Sequence, residues 1–113
     1  MAIEILTTIR NFSGNNDRPA VVDRFLRREY SSDQLQQLTL PANIKTLVPL
    51  SFTDVKLLYI RCDTGGPVQV YRNLSPEYWT FADTFFVIEL SDCYRVCVKA
   101  SVATTLTIYA AGS

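Results

Sequence analysis

Side chains able to act as nucleophile, base or metal ligand are few in this chain. It contains three cysteines, Cys62, Cys93 and Cys97, and no histidine. A serine or cysteine nucleophile needs a neighbouring base, usually histidine, so Ser-His and Cys-His centres are excluded. A zinc site of the Cys/His kind takes about four ligands, and three scattered thiols do not supply them. Asp54, Asp63, Glu77, Asp83, Glu89 and Asp92 fall at turns and strand ends, where a solvated rim would put them. No D-x-[DN]-x-[DN]-G calcium loop is present, and Asn15 to Pro19 reads as a turn. These residues therefore predict no catalytic, cofactor-binding or metal-binding site.

Two local patterns look more chemical. Asp63-Thr64-Gly65-Gly66 has the Asp-Thr-Gly that opens the catalytic loop of aspartic proteases. That loop follows an apolar run and pairs with a late hydrophobic-Gly-Arg segment. Here Arg61-Cys62 precedes the aspartate and the late glycine is Gly112, beside the terminus. A bend between Val55–Cys62 and Val68–Tyr71 explains the two glycines more simply, and predicts a hairpin. The second pattern is Arg24, Arg27 and Arg28, which would suit phosphate contacts. Asp23 and Glu29 flank them, and eleven basic side chains balance eleven acidic ones. A neutral chain is a poor counterion-releasing binder, so no nucleic acid is expected as partner. Neutrality also removes long-range self-repulsion and favours association.

The elements that must position these residues are strands. The 113 residues, 48% hydrophobic, suit one domain with a sizeable core. Val55 to Cys62 and Val68 to Tyr71 are rich in strand formers, with Val68 and Val70 on one face. Thr84 to Leu90 is nearly all apolar, as in a strand covered on both sides. Tyr94 to Lys99 and Thr104 to Ala110 alternate, the latter with Leu106 and Ile108 inward and Thr105, Thr107 and Tyr109 outward. Val21 to Tyr30 fits either a strand or a helix, and its β-branched and aromatic residues favour a strand. Short strands about ten residues apart, with turns between them, indicate an all-β, antiparallel β-sandwich, jelly-roll-like, of seven or eight strands. We read residues 1–19 as an extended N-terminal arm or edge strand and 20–113 as a single sandwich domain. The cysteines are expected as buried, reduced side chains, with a Cys62–Cys97 bridge as the alternative. Cys93 and Cys97 on one strand would lie about 13 Å apart, too far to join.

No signal peptide or membrane span is legible, so no membrane partner is expected. The residues with the character of a contact surface are aromatic or apolar. Tyr78, Trp79 and Phe81 interrupt the loop-like stretch 74–86, either as caps on the core or as interface anchors. Ile3 and Ile5 alternate along the N-terminal segment. One of Arg27 and Arg28 must lie near the core or a subunit boundary if their segment is a strand.

The order of the later segments resembles the small β-sandwich virion proteins of tailed bacteriophages. The resemblance rests on Leu58-Tyr59-Ile60, Asp63, Pro67-Val68-Gln69-Val70, Asn73, Phe85-Phe86-Val87-Ile88 and Ala111-Gly112, over about the last 70 residues. It implies a non-enzymatic virion structural protein, above all a capsid decoration or cement protein, present in many copies and bound to major capsid protein or other virion subunits. Localisation in the virion, after assembly in a host cytoplasm, and homo-oligomerisation follow from the same resemblance. The partner interface expected on this reading comprises Ile3, Ile5, Arg27, Arg28, Tyr78, Trp79 and Phe81. The alternative is a carbohydrate-binding β-sandwich module, or a phage tail or head-fibre component, using the aromatic loop 74–86 with Asn73 and Asp83 as polar partners.

Overall fold

Alternating apolar residues separated by turn formers give strands throughout the computed structural model. It describes residues 2–10, 20–62, 67–81 and 85–113, those before Tyr30 by their backbone path. The bend at 63–66 and residues 82–84, with Asp83, lie outside the described residues. So does the turn at 11–19.

The chain divides into two units, 1–30 and 31–113. The sequence reading places the start of the sandwich at residue 20. In the structure β1 (Ala2–Arg10) pairs antiparallel with β2 (Ala20–Glu29), within the first unit. The strand expected over Val21 to Tyr30 is β2.

Among the described residues the second unit has eight strands and no helix. They are β3 (Ser32–Leu40), β4 (Thr46–Leu47), β5 (Val55–Cys62), β6 (Val68–Arg72), β7 (Tyr78–Phe81), β8 (Phe85–Glu89), β9 (Val96–Ala100) and β10 (Thr104–Gly112). They form two four-stranded antiparallel sheets, ordered β3-β10-β5-β8 and β4-β9-β6-β7. The pairing is nested: first strand with last (β3–β10), then β4–β9, β5–β8 and β6–β7. β5–β10 and β6–β9 close the two sheets laterally.

Both sheets contribute to one core. Leu40, Leu58, Ile60, Leu106 and Ile108 come from one, and Val68, Val70, Phe81, Val96 and Val98 from the other. In β10 the alternation is as expected, with Leu106 and Ile108 fully buried and Thr105 exposed. Cys62, Cys93 and Cys97 are buried thiols, Cys62 within 3.6 Å of the Thr104 hydroxyl.

Two expectations are corrected. β5 and β6 do not form a hairpin, because β5 lies between β10 and β8 while β6 lies between β9 and β7. The connection crosses from one sheet to the other. Turn residues encode a reversal of direction, and the reversal can stay in a sheet or pass to the facing one. Nor is β8 covered on both sides. It is an edge strand whose Phe86 and Ile88 pack on the core while Phe85 and Val87 are exposed.

Candidate functional site

Two turns of the second unit flank an open cleft among the described residues. β6 ends at Arg72 and the chain turns through Asn73, whose φ of 57° is one that asparagine tolerates better than most residues. Asp92, with φ 53°, makes the corresponding bend before β9. Asn73 joins the two. Its backbone N–H donates to the Arg95 carbonyl (2.8 Å), its side-chain amide donates to the Asp92 carbonyl (2.8 Å), and its Oδ1 accepts from the Tyr94 N–H (2.8 Å). Arg72 adds a bond from Nη1 to the Ser91 carbonyl at 3.3 Å.

Beside this clamp, Arg72, Ser75, Glu77, Tyr78 and Trp79 line an open cleft of about 200 Å³. The Ser75 hydroxyl accepts from the Glu77 N–H at 3.1 Å, which tightens the turn into β7. Tyr78 is 50% exposed and its ring packs on Tyr71, 5.2 Å between centroids. Trp79 is 36% exposed and leans on Phe86 at 6.0 Å. Consecutive on β7, Tyr78 and Trp79 put their rings on opposite faces of the sheet, so a flat or ring-shaped group in the cleft could stack on one of them, with Arg72 and Glu77 in the same lining.

The residues expected in a partner interface divide between the two units. Tyr78, Trp79 and Phe81 lie on strand β7, where a loop was expected. Phe81 is buried and stacks on Phe86 at 5.6 Å, so it caps the core, whereas Tyr78 and Trp79 remain at the surface. Asn73 has its amide engaged within the protein and so is not a ready partner for a ligand in the cleft. Ile3, Ile5, Arg27 and Arg28 lie in the first unit. There Ile3 is opposite Arg28, Ile5 opposite Leu26 and Glu4 opposite Arg27. Sequence reasoning missed Arg72, Ser75 and Glu77. They are ordinary turn and surface residues, and only the β6–β7 pairing makes them neighbours of Trp79.

Among the described residues no group of three or more carboxylates or thiols could hold a metal ion. None of their helices is long and apolar enough to cross a membrane. The Cys93 thiol has a displaced acidity. Burial pushes its pKa above the ordinary 9.0, against smaller lowering by the Arg95 backbone and the Arg72 charge; Asp54 raises it slightly. In the unfolded chain the thiol ionises first, so above pH 9.0 the native state holds more protons and stability falls as pH rises. Urea titrations between neutral pH and pH 10 should show this loss, and Cys93→Ala should reduce it. Identical slopes in the two proteins would contradict it. No protein-family model matches the chain, and no curated protein matches it either.

Proposed function

We propose that this protein is a non-enzymatic structural subunit of a tailed-phage virion, most specifically a decoration or cement protein that binds and holds neighbouring capsid subunits. The observation that carries this reading is the division of the chain into an eight-stranded unit and a separate N-terminal hairpin. A two-stranded ribbon has no second layer and is marginal alone. Yet its register sets Ile5 opposite Leu26, Leu6 opposite Phe25 and Ile9 opposite Val22. Such a ribbon gains stability by being covered, and a neighbouring subunit's sheet is a suitable cover. The nested strand pairing supports the same reading. It is consistent with jelly-roll winding, an architecture used by capsid and lectin domains.

The test is coexpression of the full chain with the particle genes that neighbour it in its genome. It is expected to co-sediment with assembled shells, and an Ile3→Asp, Ile5→Asp variant to stay in the supernatant while remaining folded. A chain that never enters particles overturns the proposal. The cleft beside Trp79 is where a saccharide would sit in the alternative reading. A saturable change in Trp79 fluorescence on adding glycans would move the assignment there.

A further inference from the structure

We infer that β8 is a self-association edge, through which two copies of the chain join their sheets about a two-fold axis at Val87. The ladder with β5 decides which backbone groups are free for this. The Leu90 N–H donates to the Lys56 carbonyl at 2.8 Å, in the same register that sets Leu58 opposite Ile88 and Ile60 opposite Phe86. In an antiparallel ladder hydrogen-bonded pairs alternate with non-bonded ones. Leu90, Ile88 and Phe86 therefore bond inward to β5, and the N–H and C=O groups of Phe85, Val87 and Glu89 point to the open edge. Among the described residues no strand pairs with that edge.

The side chains at this edge are those of a contact surface. Phe85 is 57% and Val87 44% exposed, with Tyr59 stacked on Phe85 at 6.4 Å. Natural edges are usually blunted by lysine, proline or extreme shortness. β4 is only two residues long, and β3 carries Asp33, Gln34, Gln36 and Gln37, with Gln34 and Gln36 bonded to the Pro49 carbonyl. β8 has neither lysine nor proline.

A second copy fits this edge better than an unrelated strand because the register is self-complementary. With the axis at Val87, that residue pairs with its own copy, and Phe85 pairs with Glu89 of the second copy on both sides. Every outward backbone group of the strand is then bonded. Shifting the axis to Phe86 or Ile88 leaves one residue at the open edge unpaired. Charge agrees with the central register. Glu89 of each copy comes beside the other's Phe85, whose neighbour across the ladder is Arg61, two strand spacings or roughly 10 Å away. The two Glu89 side chains stand four residues apart, about 13 Å. The row Leu35–Tyr109–Tyr59–Val87, which crosses one sheet in register, then continues through Val87 of the second copy in reverse order. A formal net charge of zero adds no long-range repulsion. This pairing does not rest on the virion reading.

Light scattering on the purified full chain is the test. Its mass should be an even multiple of the chain mass, and Val87→Lys should halve it by setting two ammonium groups face to face on the axis. Val87→Pro should do the same, because it deletes an N–H aimed at the open edge and leaves the bonds to β5 intact. Leu74→Lys, at an exposed apolar residue outside β8, should leave the mass unchanged. Amide exchange at Phe85, Val87 and Glu89 in the unmodified protein should slow as concentration rises, a readout that needs no variant to fold. A single-chain mass at every concentration overturns the inference. So does a mass unaffected by both folded Val87 variants, or exchange at those three amides that stays fast at every concentration.

Discussion

Ile60→Ala is expected to lower the folding free energy by about 2–5 kcal/mol, the range for truncating a buried isoleucine to alanine. Ile60 is fully buried on β5, in register with Ile108 of β10 on one side and Phe86 of β8 on the other. It is therefore bounded laterally by two apolar neighbours and from above by the facing sheet. Strands hydrogen-bonded on both sides cannot close inward around a missing side chain, so most of the cavity persists. Domains of this size have about 5–15 kcal/mol in total, so the variant forfeits a large fraction. Chemical denaturation followed by far-ultraviolet circular dichroism measures the loss. Ile60→Val, which removes one methyl, should cost about 0.5–1.5 kcal/mol. Equal losses for the two variants would place Ile60 outside the core.

Gly112→Ala is expected to cost about 1–3 kcal/mol through overpacking, although it adds a single methyl near the chain's last residue. A Cβ at position 112 would fall on the carbonyl oxygen of Asp54, and within 2.9 Å of its carbon and 3.2 Å of the Lys56 nitrogen. These are backbone atoms and cannot rotate away. Retreat of the strand is blocked as well. Ser113 and Asp54 exchange both backbone bonds at 2.9 Å, and the Ser31 N–H donates to the Gly112 carbonyl at 3.1 Å. The variant must break some of these bonds, so amide exchange at Asp54 and Ser113 should accelerate along with the fall in melting temperature. A variant as stable as the parent would show that the terminus can move aside freely.

Gly112 also shows where reading the sequence stops. As a lone glycine after Ala110-Ala111 it carries no local signal, because its necessity comes from the backbone of Asp54 and Lys56, at the start of β5. β10 was legible because its two faces meet different environments, so period two survives in the residue order. β8 misled because Phe85 and Val87 are apolar at the surface, and apolar character alone does not tell core from contact. The bend after β5 gave the direction change and not its destination. The aromatic segment was conspicuous by composition, but its polar companions were not. Tyr78 and Trp79 could be picked out, whereas Arg72 and Glu77 join them through strand pairing.

The nested pairing has a consequence for how the protein is made. β10 is made after the other seven strands of its unit, yet it lies between β3 and β5 inside its sheet. Until β10 emerges, β3 has no partner and β5 has one open side. The sandwich can therefore close only after β10 has been made. Its pairings span the whole domain, and folding dominated by such distant contacts takes on the order of milliseconds to seconds. During that interval the apolar strands β5 and β8 are exposed to other nascent copies. The eight-stranded unit is therefore at its most vulnerable to misassembly in the interval before β10 is in place.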